Sequence, residues 1–382
     1  MPRRLAPPLV ALLSIYAALN LVGAIWVIPD RGGDFLAFYE SAVAWGAGQH
    51  AYRTPPAEIP NLTPPVLLPF FWLFTRLPFQ LALTLWVAGS LACLAATLPI
   101  LVRRTGMPAW QLGVLVLGVG PAGISLALGQ VGFILLLCIT RAWNAAQEQQ
   151  WLRAGLWIGA LCVLKPFYGL FGLWLLWRRE WRALSAATSV WAISMSAGVW
   201  IAGWAEVADW VAALRDVYWQ ANIYNASVTG MGARLFAPTV ITRATLWTPL
   251  WVSRPANSAV DVALLAMVVF ATVWGVRRHC NDLNRSFVIL SVSGLLLSPL
   301  GWVHYLPACI GPLLAIRRPS RWIWVAGVLS LFPYQTLLNR AYGPLGTLFV
   351  GQWACALAMA IMAVALINQP DSRAAAKIEF LG

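Results

Sequence analysis

Side chains able to do chemistry are scarce in this sequence, and they gather in one stretch. Between Asp30 and Pro65 (DRGGDFLAFYESAVAWGAGQHAYRTPPAEIPNLTPP) stand Asp30, Asp34, Glu40 and Glu58, in a chain with only 13 acidic residues among 382. A carboxylate held beside a membrane surface and partly buried has its pKa drawn upward, which suits it to take a proton from a hydroxyl. Asp34 is the best placed, between Gly32-Gly33 and the helical run FLAFYESAVAWGAG. The same position suits a helix N-cap, and the two roles are compatible. Asp30 reads as a helix-end marker and Glu40 as part of a solvated face.

Few cationic groups stand where they could act on a substrate. Lys165 is the single lysine before the C-terminal tail, followed by Pro166 in an otherwise apolar run. A lysine at such depth needs a partner, and carbonyls freed by the proline are one structural alternative. His304, in Gly301-Trp302-Val303-His304-Tyr305, falls at the outer end of an apolar segment, where a satisfied interface residue is the plainer reading. Arg234 and Arg340 are further outer-face cations. Gln130 reads as the closing residue of a helix turn. Asn225 and Ser227 either meet a polar ligand or form a turn, while Tyr39, Trp45 and Tyr52 stack on a ligand or anchor the interface.

These residues sit in a chain that is 60% hydrophobic, 10% charged and of mean hydropathy +0.72. No water-soluble fold of this size hides so much apolar surface, so the expected solvent is a bilayer. No polar stretch is long enough for a second globular unit, and a single membrane domain over 1–382 is expected. The net charge of +13 does not point to nucleic acid. Its basic residues lie in short runs between apolar segments (Arg103-Arg104, Arg178-Arg179, Arg277-Arg278, Arg317-Arg318), the positive-inside pattern. The 23 tryptophans suit two interfacial belts. The six cysteines are scattered without a CxxC and there are three histidines, so a metal site built from His and Cys is not expected.

The expected fold is an all-α polytopic membrane protein of about 12 transmembrane helices (11–13), both termini cytoplasmic. Outer loop 1 covers about residues 29–79 and outer loop 2 about 204–257. The first carries a surface-lying helix over 35–48 and a short, proline-broken apolar element at 63–75 that reads as re-entrant. The second carries a surface-lying helix with Val207, Trp210, Val211, Leu214 and Tyr218 on its apolar face and Glu206, Asp209, Arg215 and Asp216 opposite. The run NIYNASVTGMGARLF after it reads as a mobile lid. Segments at about 109–127 and 131–143 form a hairpin around Gly129-Gln130, followed by a polar connector from Arg141 to Arg153. Residues 154–177 are flanked by basic clusters at both ends, which predicts two short helices broken at Lys165-Pro166.

The ordered set GGDFLAFYESAVAWGAGQHAY, TPPVLLPFFWLFTRLP, GQVGF, AGLWIGALCVLKP, NASVTGMGARL and SPLGWVHYLP resembles glycosyltransferase family 87 (DUF2029), within the GT-C enzymes. The resemblance covers most of the chain, with a departure at Thr63, where the family usually has tyrosine before the two prolines. It implies an inverting membrane transferase that moves a sugar, such as the hexose mannose, from a polyprenyl-phosphate donor to a glycolipid or glycan acceptor of the cell envelope. The reaction would take place on the outer face of the bacterial cytoplasmic membrane. Under it Asp34 is the general base, while Lys165, His304, Arg234 and Arg340 are candidates for the donor phosphate, where charge develops. Tyr39, Gln130, Asn225, Ser227 and Tyr305 are candidate substrate contacts. Beyond these substrates and membrane lipids it implies no cofactor and no metal. The rival class is a transporter or flippase, which would be expected to show repeated halves and mid-membrane ionisable residues; no internal repeat is evident.

Overall fold

A chain this apolar must satisfy its backbone polar groups within itself, and helices do so segment by segment. The computed structural model describes residues 4–26, 33–53, 61–215, 219–237, 249–331 and 350–367. Among them the regular structure is helical, with a single isolated bridge between Asn225 and Trp302. The chain begins with α1 (Pro7–Trp26) and α2 (Gly33–Gly46). A 3-10 turn, Pro65–Leu67, then leads into the short α3 (Leu68–Phe74). At ten residues that pair is too short to span, as the re-entrant reading requires. The 27 residues of α4 (Phe79–Thr105) are long and apolar enough to span.

The single segment expected over about 109–127 is broken into two helices. Helices α5 (Ala109–Gly118) and α6 (Gly120–Ala127) meet at Val119 with a bend of 73°. Pro121 lacks the N–H that would continue the helix. Asn20 of α1 donates to the carbonyls of Leu117 (2.7 Å) and Val119 (3.3 Å) at the break. After the turn at Gly129-Gln130, α7 (Gly132–Gln147) runs through most of the expected polar connector. Its end is fixed by Trp143 and Gln147, whose side chains both donate to Asn284.

Helices α8 (Trp151–Leu164) and α9 (Leu170–Trp177) are separated by Lys165 and a 3-10 turn, Pro166–Gly169. The two ends of this broken segment come back together. The rings of Trp151 and Trp174 lie 6.3 Å apart, with the Arg178 guanidinium 5.3 and 5.2 Å from their respective centroids. The segment therefore folds back, with Lys165 at its tip. Basic residues gather at the end remote from that tip. There Arg103 and Arg104 donate to Glu148, and Arg178 to the carbonyl of Cys280.

Helix α10 (Trp181–Ala202) has spanning length and delivers the chain to α11 (Trp204–Arg215). The faces of α11 do not divide as expected: Glu206 and Asp209 from the polar face are buried alongside Trp210 from the apolar one, while Leu214 is exposed. Their carboxylates find Ala51, His50 and Arg53 from outer loop 1, and pairing within the protein makes the acidic face the inward one. Nor is 222–236 a lid. It forms a buried turn and α12 (Val228–Phe236), with Asn225, Ser227 and Arg234 fully buried. Asp216 and Tyr218 lie outside the described residues.

Helix α13 (Arg254–Arg278) spans, and α14 (Leu283–Leu297) is buried on nearly every side. A 3-10 stretch, Val303–Cys309, continues into α15 (Ile310–Ala315), followed by α16 (Trp322–Ser330) and α17 (Trp353–Leu366). Helices α7, α14 and α17, with the 3-10 stretch, form the core. The four helices of spanning length present Leu19, Leu85, Ile193 and Phe270 outward, as lipid-facing surfaces must. Four helices, or five with the bent pair counted once, reach spanning length among the described residues. The remaining expected crossings are helices of 10–17 residues such as α8, α14 and α17, short of a full bilayer core.

Candidate active site

Asp34 stands in the first turn of α2, and the backbone before it explains its freedom. Gly33 has φ +51°, and a Cβ there would meet Leu128 Cα at 2.8 Å, so only glycine lets α2 press against the turn after α6. The N–H groups of Asp34 and Phe35 then donate to the Leu128 carbonyl (2.9 and 3.1 Å). That carbonyl takes the first N–H groups an N-cap side chain would otherwise serve, and the Asp34 carboxylate is left to accept from Gln130 Nε2.

Aromatic packing holds α2 in place. Phe35 is fully buried and stacks on Trp86 (5.5 Å), with Phe71, Phe74 and Phe79 around it. Trp86 Nε1 donates to the Gly129 carbonyl (2.7 Å), tying α4 to the turn that carries Gln130. The surface-lying helix foreseen over 35–48 thus buries its apolar face mainly on protein.

Gln130 joins two halves of the site. Its oxygen accepts from the Tyr305 hydroxyl (3.1 Å) while its NH2 group faces Asp34. The orientation is required chemically, because an ionised carboxylate only accepts. Lys165 reaches in from the tip of the broken segment, its Nζ 5.1 Å from the Tyr305 ring centroid. Its backbone is extended (φ −145°, ψ 102°), as Pro166 demands of the residue before it. His304 lies edge-on to Tyr305 (4.6 Å) and stacked with Trp302 (5.9 Å). Both of its ring nitrogens are buried with no partner among the described residues. Gly132 lets the His304 backbone approach, since a Cβ there would lie 2.6 Å from the His304 carbonyl oxygen. Burial raises the Asp34 carboxyl above the ordinary aspartate value, while the Gln130 bond and the Lys165 charge pull it partly back. The structure therefore assembles Asp34, Gln130, Lys165, His304 and Tyr305 in one place, from four separate stretches of the chain: α2, the α6–α7 turn, the Lys165 break and the 3-10 stretch.

The other candidates stand elsewhere. Asn225 uses its whole amide on the backbone: Nδ2 donates to Gln220 and Pro299 carbonyls, and Oδ1 accepts from the N–H groups of Ser227 and Gly301. Ser227 caps α12 by accepting from Gly230. Arg234 donates to the carbonyls of Asn222 and Asn225 and to Gln352. These three brace the turn before His304. Tyr39 donates to the Leu77 carbonyl (2.9 Å) and Tyr52 to that of Thr63 (2.7 Å), so both hydroxyls do structural work. Trp45 packs edge-on to Trp72. Glu40 is half-buried, with one oxygen lacking a partner among the described residues, and burial raises its carboxyl; it is not the solvated face expected. Asp30, Glu58 and Arg340 lie outside the described residues.

Sequence reasoning missed Trp302, which covers one face of His304, and the bridging role of Gln130. The signal for the second was a lone amide in the turn facing Asp34, 96 positions away. Beside the site, an apolar cavity of about 840 Å³ reaches Leu306 and Pro307 and runs between α1, α5, α16 and α17.

The profile of glycosyltransferase family 87 matches residues 61–299. A polyprenol-phosphate-mannose-dependent alpha-(1-2)-phosphatidylinositol pentamannoside mannosyltransferase of Mycolicibacterium smegmatis is 24% identical over 309 residues, covering 75% of this chain and 70% of the relative. A polyprenol-phosphate-mannose-dependent alpha-(1-2)-phosphatidylinositol mannoside mannosyltransferase of Mycobacterium tuberculosis is 26% identical over 311 residues, covering 71% and 67%. A solved structure, ArnT from Cupriavidus metallidurans bound to undecaprenyl phosphate, aligns at a TM-score of 0.40 and 14% identity over 92% of this chain and 76% of its own.

Proposed function

Since the chain belongs to glycosyltransferase family 87, we propose that it transfers a hexose, mannose by analogy with its relatives, from a polyprenyl-phosphate carrier to an envelope glycolipid or glycan. The observation that carries this reading is the hydrogen-bonded line Tyr305–Gln130–Asp34 with Lys165 beside it. In the proposed reaction the acceptor oxygen attacks the anomeric carbon and its proton passes to Asp34. The bond from that carbon to the phosphate oxygen breaks, and polyprenyl phosphate departs with the configuration inverted. The raised Asp34 carboxyl makes a stronger base than an exposed aspartate, closer to the pH at which it must work.

Charge gathers on the leaving phosphate, and Lys165 with His304 is assigned to it. We assign that task to these side chains rather than to a divalent ion, because the donor carries a single phosphate and no nucleotide. The adjoining apolar cavity has the chemistry to hold the isoprenoid chain. The basic residues that collect at the end remote from Lys165 support a site on the extracytoplasmic side of the bacterial inner membrane, with the termini cytoplasmic. Incubating the purified protein with polyprenyl-phosphate-[14C]mannose and phosphatidylinositol mannosides tests the reading. A labelled glycolipid is the expected product; an intact donor and no product, over a range of lipid acceptors and with other polyprenyl-linked sugars, would refute it.

A further inference from the structure

A second polar cluster stands outside the proposed active site. Glu206 and Asp209 are three apart on α11 and therefore share a face. Both are buried, their side chains 9% and 2% exposed. Each carboxylate spends one oxygen on a donor of outer loop 1. Glu206 Oε2 accepts from the Ala51 N–H (3.1 Å), and Asp209 Oδ1 accepts from Arg53 Nε (2.7 Å). The remaining oxygens turn to the same point as His50 Nδ1, which lies 2.8 Å from Asp209 Oδ2 and 3.7 Å from Glu206 Oε1.

Three potential ligand atoms thus lie within 4.8 Å of one another. Metal–ligand bonds of about 2.0–2.2 Å set neighbouring ligand atoms roughly 3 Å apart. The His50 distances of 2.8 and 3.7 Å are near that spacing, and the two carboxylates, within 4.8 Å, would draw together around one ion. The charges also ask for a cation: two buried carboxylates face one guanidinium, leaving a net negative charge when His50 is neutral. The donors on the far oxygens do what outer partners do at metal centres, fixing each carboxylate so that its other oxygen points inward.

We propose that His50, Glu206 and Asp209 form a binding site for a first-row divalent cation, zinc by its ligand chemistry, which clasps the segment after α2 to α11. One nitrogen and two carboxylate oxygens suit zinc and leave a fourth position for water. The site is structural. It fixes the C-terminal end of α2, whose other end carries Asp34 about 18 Å away along the helix. It is independent of the transfer reaction and stands or falls without it.

The full-length chain, purified in detergent without a polyhistidine tag, is equilibrated with micromolar Zn²⁺ and its metal content measured by mass spectrometry. Co²⁺ loading gives an independent visible-absorption signature of the ligand set. About one zinc per chain is expected, with affinity weakened roughly tenfold or more in His50→Ala and in Glu206→Gln, and with the Co²⁺ band lost in both. His50 is 50% exposed and Glu206→Gln is isosteric, so each variant is checked for a wild-type elution profile. Wild-type protein that takes up no zinc above background, or variants that retain it at the wild-type level, would overturn the site and leave an ion-paired clasp alone.

Discussion

Gln130→Met offers the sharpest perturbation of the candidate site, because it keeps the bulk of the side chain while removing both ends of the bridge. Gln130 donates to Asp34 and accepts from Tyr305; methionine does neither. A hydrogen bond to a charged group contributes about 1.5–3 kcal/mol, and about 1.4 kcal/mol is a decade in rate. The expected loss in kcat/KM is therefore roughly ten- to a hundredfold. The pH dependence separates positioning from mere packing. As the proposed base Asp34 must be ionised, and burial raises its carboxyl above the ordinary aspartate value, so activity is expected to fall as pH drops through that raised pKa. Gln130 is a lowering influence on it, so without Gln130 the acid limb moves to higher pH. Tyr305→Phe removes a neutral bond, leaves the amide free to rotate, and should cost less: about 0.5–1.5 kcal/mol, or roughly two- to tenfold. The assay is initial-rate transfer of labelled sugar across pH 5 to 9, with protein folding followed by thermal unfolding in detergent. A Gln130→Met enzyme with wild-type kcat/KM and an unmoved acid limb would refute the role given to Gln130.

Lys165→Met should lower kcat by about two to three orders of magnitude, the usual cost of removing a charge-stabilising donor, and should also move the acid limb upward because Asp34 loses its neighbouring cation; steady-state transfer rates across pH check both. Asn225→Ala strips the partners from two backbone carbonyls and two N–H groups around the turn before His304. At about 1–3 kcal/mol for each buried group left unpaired, it should lower the melting temperature markedly, as scanning fluorimetry would show.

Much of the helical layout was legible because apolar runs, basic flanks and prolines are local signals. Pro166 after Lys165 and basic residues on both flanks predicted the fold-back that the Trp151–Arg178–Trp174 stack closes. Asp34, Lys165 and His304 could each be picked out as ionisable groups in apolar surroundings. What links them could not, since Gln130 and Tyr305 are 175 positions apart and periodicity carries no information about such pairs. The burial of the two α11 carboxylates has the same origin. Amphipathic spacing finds two faces, but Glu206 and Asp209 turned inward because His50, Ala51 and Arg53 supplied compensating donors. Arg234, read as an outer-face cation for phosphate, lies buried in the turn before His304 and donates to the carbonyls of Asn222 and Asn225. The bend at Val119 has a local signal in Pro121, whereas Asn20, which binds the carbonyls at the break, belongs to another helix and leaves none.

The central claim is that Asp34 takes the acceptor proton, and Asp34→Asn measures it most directly. The amide is isosteric and can still pair with Gln130 by turning its oxygen toward it, so folding should survive. Single-turnover transfer from polyprenyl-phosphate-[14C]mannose, with donor binding measured in parallel, should show bound donor and a rate reduced by about two to four orders of magnitude. Turnover within a few-fold of wild type would contradict the account and leave Asp34 as a structural partner of Gln130 and Lys165.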